Sequence, residues 1–349
     1  MMKWLRFILF PFGFLFAGIT FLRNKFYDWN IFKSSKFSIP IINIGNLSVG
    51  GTGKTPHTAY LIDLLKNDYQ LFTLSRGYGR KKRGFIIADD QSVAHDIGDE
   101  PLLYYKRFGQ EIGVAVETNR VMGVIEICRE QPETNLILLD DAYQHRAIHA
   151  GLNILITTYE KPFYQDYILP VGDLREWRAG KKRADIIIVS KCPDLSELEK
   201  GKIITQIAPA QHQSVFFSKI NYGQLRSLYS AKESDNINGR PIILVTAIAN
   251  ASYLRKFLEK SHRILCHFEF NDHYDFKETD ITEVHNLFDK FVSEKPLIIT
   301  TEKDAMRLFR ADFESALMAY PWMIQDIEVE VDRAEEFNQL VKTHVEKNS

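Results

Sequence analysis

The sequence predicts an α/β fold: a mostly parallel sheet domain, a second and smaller α/β domain, and an N-terminal apolar helix. Three observations carry this prediction. Short apolar runs that read as buried strands alternate with helical patterns along the chain, the mark of βαβ units with both sheet faces covered. A glycine-rich turn, GNLSVGGTGKT (45–55), lies where the first such run passes into a helical pattern. The chain also opens on an uncharged aromatic segment, Phe7 to Leu22, with basic residues at both ends.

The bulk composition narrows the classes. At 349 residues the chain has room for two domains. Its apolar fraction of 45% is enough for cores in both. A net charge of −1 gives no global attraction to nucleic acid, so no nucleic-acid partner is expected unless a local patch supplies one. The three cysteines, Cys128, Cys192 and Cys266, are odd in number, far apart and outside any CxxC spacing. That pattern fits a reducing compartment and neither a disulfide framework nor a zinc site.

The opening segment admits three readings. As a helix, Phe7 to Leu22 would be roughly 24 Å long, short of the roughly 30 Å hydrocarbon core. Pro11, Gly13 and Gly18 weaken a straight span further. A buried core helix is the bland alternative. A cleaved signal peptide lacks its small-residue site and would export a chain whose next motif needs cytosolic nucleotide. An interfacial anchor over residues 1–25, with Lys3, Arg6, Arg23 and Lys25 reaching the headgroups, accounts for both the composition and the flanks. A membrane surface is therefore expected as a partner.

Behind the anchor, strands are predicted at 39–44, 71–74, 112–116, 136–139, 153–157 and 185–190. Helices are predicted at 56–66 and 119–130. Residues 221–240 turn polar and read as a linker between a domain over 26–220 and a smaller one over 241–349. In the latter, strands are expected at 241–246, 264–270 and 297–300, with helices at 251–260 and 278–292.

The glycine-rich turn stands where a P-loop must stand, between strand and helix. Backbone N–H groups over Ser48, Val49, Gly50, Gly51, Thr52 and Gly53 would cradle phosphate oxygens. Lys54 would reach the β- and γ-phosphates and the Thr55 hydroxyl would ligate Mg²⁺. One departure is visible: the first glycine of G-x-x-x-x-G-K-[ST] falls on Ser48, with Gly50 and Gly51 moved inward. Leu136–Leu139 run into Asp140 and Asp141, the form of a metal-holding strand end beside a P-loop. Two candidates for a guanine-reading NKxD, SKCPD (190–194) and TEKD (301–304), miss the pattern, so ATP is the expected nucleotide.

Further residues are ambiguous alone. Asp99, before a helix opening Glu-Pro, reads first as an N-cap. His273, in a polar stretch after a predicted strand, reads as a structural histidine or a site residue. His145 would orient an active-site group or be a buried hydrogen-bonded histidine. Basic clusters at 76–83 and 178–183 are either solvated loop charge or a surface for phosphate and anionic headgroups, with Arg76 and Arg120 the foremost phosphate ligands.

Blocks spread along the chain resemble the tetraacyldisaccharide 4′-kinase family: GNLSVGGTGKTP (45–56), LSRGYGR (74–80), GDEP (98–101), DDAYQHR (140–146), LPVGDLRE (169–176), NDHYDF (271–276) and TTEKDA (300–305). Ala142-Tyr143 departs from the Gly-Phe more usual there. The resemblance implies ATP-dependent phosphorylation of the 4′-hydroxyl of a lipid A disaccharide 1-phosphate precursor, with the site between two α/β domains. It also implies that Asp99 pairs with His273 as the base and that Glu176 is a further Mg²⁺ ligand. A monomer on the cytoplasmic face of the inner membrane, peripheral or monotopic, is expected. Two other readings remain at this point: a membrane-associated P-loop ATPase switch, and a soluble kinase for a small metabolite.

Overall fold

The computed structural model describes residues 10–229, 237 and 239–348. Residues 1–9, with Lys3, Arg6 and the start of the apolar segment, and 230–236 and 238 of the expected linker, therefore lie outside the described residues.

The predicted strands form. In chain order they are β1 (Ile41–Asn46), β2 (Leu71–Ser75), β3 (Ile86–Ile87), β4 (Gly113–Val116), β5 (Leu136–Asp140) and β6 (Leu152–Thr158). There follow β7 (Ile186–Ser190), β8 (Ser214–Ser227), β9 (Ile242–Thr246), β10 (Ile264–Glu269), β11 (Leu297–Thr301) and β12 (Trp322–Val331). One 12-stranded sheet takes them in the order β10-β9-β11-β12-β8-β7-β6-β1-β5-β2-β4-β3. All pairings are parallel except β3 with β4 and β12 with β8. The run Ile-Ile-Asn-Ile of β1 and the run Leu-Ile-Leu-Leu of β5 are buried throughout, as a strand covered on both faces requires. Each buried Ile or Leu side chain among them contributes about 1.5–3 kcal/mol of burial.

The expected linker is corrected at its start. β8 runs on through 221–227, pairing with β12 from Ser218 to Ser227, so the halves share a strand. Only Ser214–Phe217 also have β7 alongside, and beyond them the strand loses that neighbour and becomes half exposed. A half-exposed strand carries polar residues, which is why NYGQLRS reads as loop in sequence.

Six helices position the site: α1 (Phe10–Asp28), α2 (Lys54–Leu65), α3 (Asp99–Phe108), α4 (Arg120–Glu130), α5 (Glu197–Ile207) and α6 (Glu302–Leu308). No described helix is long and apolar enough to cross a membrane. α1 lies on the body through Phe16 and Ala17, which pack against a cluster that includes Phe163, Ile168 and Leu174. A side chain on Gly13 would meet Val171 at 2.9 Å, so the missing Cβ lets the helix approach closely. The opposite face leaves Phe12, Phe14, Leu15, Ile19, Phe21 and Leu22 exposed, Phe14 at 74%.

Candidate active site

β1 delivers the glycine-rich loop to the first turn of α2. Gly50 and Gly53 adopt φ of 99° and 88°, values open to glycine and strained for other residues. The loop is held from outside. Val49 N–H donates to the Asp173 carbonyl and Arg175 N–H to the Leu47 carbonyl, each at 2.7 Å. The carbonyls of Gly51, Thr52 and Gly53 are taken by Lys191 Nζ (2.7 Å), Ser190 Oγ (2.7 Å) and His57 Nδ1 (2.7 Å). With these carbonyls tied back, the orphan N–H groups of the first turn of α2 are left to face an anion. The displaced glycine of the motif is accommodated because Ser48 bridges to Leu174 in strand fashion.

β5 lies directly beside β1, with Ile44 opposite Asp140, which places the two carboxylates next to the loop. The pair splits. Asp140 is buried and accepts from Thr58 Oγ1 (3.2 Å) and Tyr104 Oη (3.0 Å). Burial, reinforced by the charge of Asp141, pushes its carboxyl up to about 6. Asp141, at φ 48°, accepts from Arg175 Nη1 (3.0 Å) and lies 3.6 Å from Lys54 Nζ. Burial would raise its carboxyl, but Lys54 and Arg175 outweigh that and hold it below the usual range.

The two halves enclose a cleft of about 1160 Å³, room for a nucleotide and a sugar acceptor. From the first half come the loop, Thr55, Arg76, Arg120, Asp140, Asp141 and His145; from the second come Tyr253, His273 and Lys303. Burial lowers the Arg120 guanidinium to about 10, and its Nη1 donates to the carbonyls of Glu117 and Thr118. His145 is lowered to about 4, by burial and then by Arg120, so it stands neutral, and its Nε2 has no hydrogen-bond partner among the described residues.

Asp99 and His273 are brought together. Asp99 is the first residue of α3 and makes no capping bond; Gly98, at φ 95°, precedes it. A side chain on Gly98 would meet Gly77 and the Tyr78 carbonyl at 3.1 and 3.0 Å, so the GDEP and LSRGYGR blocks touch through glycine. Freed from capping, Asp99 Oδ2 accepts from His273 Nδ1 (2.9 Å) and Arg307 Nε (2.8 Å). Burial works against its charge, yet His273 and Arg307 keep it below the usual carboxylate range. His273 itself sits at φ 59°, a left-handed conformation that a non-glycine residue holds only when its surroundings over-determine it.

Glu176 is not brought to the cleft. Its Oε1 accepts from Arg183 Nη2 (2.7 Å) and Gln144 Nε2 (3.1 Å), and its Oε2 from Asn24 Nδ2 (2.7 Å). With three donors on it and 2% exposed, this carboxylate is turned to protein partners and does not line the cleft, so the expected ligand is instead the tie between α1 and the segment after β5. The 178–183 cluster is structural for the same kind of reason. Arg178 donates to the Asp166 carbonyl, Lys181 to carbonyls at the end of α5, and Arg183 to Glu176. Sequence reasoning missed Arg307, Lys303 and Arg175. In TTEKDAMR the charges look like an ordinary solvated helix face, although Arg307 is 6% exposed.

Fold and cleft together define a P-loop nucleotide-binding enzyme whose cleft also holds His273, backed by the buried Asp99 from the other half. The family model described as tetraacyldisaccharide-1-P 4′-kinase matches residues 5–346. A tetraacyldisaccharide 4′-kinase of Phocaeicola vulgatus is 39% identical, over 99% of this chain and 96% of that protein. One of Flavobacterium psychrophilum is 44% identical over 88% of each. The crystal structure of LpxK from Aquifex aeolicus in complex with ATP superposes with a TM-score of 0.76 at 27% identity, covering 98% of this chain and 99% of that one. The chain belongs to the tetraacyldisaccharide 4′-kinase family.

Proposed function

We propose that the chain transfers the γ-phosphoryl group of ATP to the 4′-hydroxyl of a tetraacylated glucosamine disaccharide 1-phosphate, and that His273 takes the hydroxyl proton. The observation that carries this reading is the 2.9 Å contact of Asp99 with His273, which lines the same cleft as the P-loop. Asp99 Oδ2 already accepts from His273 Nδ1 and from the Arg307 guanidinium, so it is poorly placed to receive a proton itself; it orients the ring and stabilises the imidazolium that forms. The acceptor oxygen attacks the γ-phosphorus, the bond to the β,γ-bridging oxygen breaks, and ADP leaves with that electron pair. Lys54 and the N–H groups of the loop stabilise the charge that builds on the phosphoryl oxygens.

Mg²⁺ fits the donors present. No group of three or more His, Cys, Asp or Glu side chains forms a cage among the described residues, and Mg²⁺ needs none: it binds through one or two carboxylates, a hydroxyl, water and phosphates. Thr55, Asp140 and Asp141 would hold it, where it would neutralise phosphate charge. Arg76, Arg120 and His145 serve the acceptor, the arginines through its phosphate. The exposed aromatic face of α1 rests at the cytoplasmic surface of the inner membrane, which keeps the cleft within reach of an acceptor whose acyl chains stay in the bilayer.

The test is product identification after incubating ATP, Mg²⁺ and the detergent-solubilised disaccharide 1-phosphate with the enzyme. A bisphosphorylated lipid bearing the new phosphate at O4′ is the expected product. Steady ATP hydrolysis with no lipid product would refute the kinase reading and leave a P-loop ATPase switch.

A further inference from the structure

His273 is faced by charge on both ring nitrogens. Nδ1 lies 2.9 Å from Asp99 Oδ2, the oxygen that also takes Arg307 Nε at 2.8 Å. Nε2 lies 3.1 Å from Lys303 Nζ and 3.9 Å from Asp272 Oδ2. Lys303 is itself held by Glu100 Oε1 at 3.0 Å and Asp272 Oδ1 at 3.7 Å, and the Tyr78 ring centroid is 5.0 Å from that of His273. These neighbours decide where the ring proton sits. A carboxylate accepts only and an ammonium donates only, so Nδ1 carries the hydrogen and Nε2 presents a bare lone pair.

We infer that Lys303 is a positioning residue for His273: it holds the ring in the neutral Nδ1–H tautomer and covers Nε2 until the acceptor hydroxyl displaces it. This rests on the reading of His273 as the proton acceptor. Glu100 and Asp272 are what make displacement feasible, because Lys303 keeps both partners when it gives up Nε2. Until then no water can donate to Nε2, so ATP bound without an acceptor is protected from hydrolysis. When the acceptor binds, its O–H donates to Nε2. As the new P–O bond forms, the proton passes to Nε2 and Asp99 stabilises the resulting imidazolium.

The experiment compares transfer and acceptor-free ATP hydrolysis in Lys303→Met and Lys303→Arg with wild type. In Lys303→Met kcat falls roughly tenfold, the KM for ATP stays within about twofold, and acceptor-free hydrolysis rises several-fold. Lys303→Arg, which keeps a charged donor, returns both kcat and acceptor-free hydrolysis to within about threefold of wild type. Acceptor-free hydrolysis unchanged in Lys303→Met, or equally raised in Lys303→Arg, overturns the inference. Because the methionine variant can fail to fold, ¹⁵N-histidine correlation spectra of the full wild-type chain supply a second measurement. An unprotonated Nε2 with Nδ1–H is expected, since Nδ1 faces Asp99 Oδ2 and Nε2 faces Lys303 Nζ; an Nε2–H tautomer overturns the inference. The spectra need no acceptor, so a wild type that makes no lipid product would remove the kinase reading and leave the tautomer result standing.

Discussion

Arg307 Nε lies 2.8 Å from Asp99 Oδ2, and the two residues belong to opposite halves of the molecule, α6 and α3. Both are buried, so the contact is more than a surface ion pair: it fixes the carboxylate against which His273 is oriented. Arg307 is secured in turn by Asp304 and by the carbonyls of Ala247 and Tyr274. Asp99→Asn keeps the shape and removes the charge. Transfer is expected to fall about 100-fold or more as the imidazolium loses its partner. Stability is expected to fall by about 3 kcal/mol, since a buried guanidinium loses an ionic contact. Single-turnover transfer and denaturant unfolding check the two parts.

Glu176 separates a metal role from a structural one. Glu176→Gln leaves the half-buried Arg183 without its carboxylate, and a loss of about 1–3 kcal/mol in unfolding free energy is expected. The Mg²⁺ concentration giving half-maximal rate should not change, because the side chain faces Arg183, Gln144 and Asn24 instead of the phosphates. A Mg²⁺ titration that shifts tenfold or more in this variant, as loss of a ligand would cause, contradicts that placement.

His57 sets part of the acid sensitivity. Its Nδ1 meets the Gly53 carbonyl and its Nε2 the Ser218 hydroxyl at 2.8 Å, and burial lowers it from 6.5 to about 4. Between those values the unfolded chain binds a proton there that the folded chain does not, so stability falls as pH falls. By pH 5 this group alone is expected to remove about 2 kcal/mol relative to pH 7.5. Urea midpoints measured across that range should decline less steeply in His57→Gln than in wild type.

The exposed face of α1 predicts where the protein meets lipid. Phe14 and Ile19 are exposed while Phe16 and Ala17 pack inward, so Phe14→Glu with Ile19→Glu changes the outer face alone. Co-sedimentation with anionic vesicles is expected to be lost, with unfolding free energy unchanged to within about 0.5 kcal/mol. Retained binding would place the lipid contact elsewhere.

The phosphate cradle was legible because its signal is local: a buried strand, GTGKT and a helix are contiguous, and β1, the loop and α2 stand as expected. The adjoining Asp140 was legible for the same reason, since an apolar run ending in Asp beside a P-loop has few other places to go. The Asp99–His273 pair was not legible from composition or spacing. Its members are 174 positions apart, and sequence alone favoured capping for Asp99 until the family blocks were considered. Glu176 was misplaced because its partners Asn24, Gln144 and Arg183 come from three separate segments, and a carboxylate in a motif does not announce which cation satisfies it. β8 escaped notice because most of its 14 residues, those beyond Phe217, lack a parallel neighbour and so lack the apolar run by which strands are found.

The central claim, phosphoryl transfer to a sugar hydroxyl with His273 as base, is tested most directly by following the label of γ-³²P-ATP in wild type and His273→Ala with detergent-solubilised disaccharide 1-phosphate. The expected result is label in the lipid for wild type and a rate lower by about 10²–10⁴ in the variant. Label released as free phosphate whether or not the acceptor is present, or transfer undiminished in His273→Ala, would contradict it.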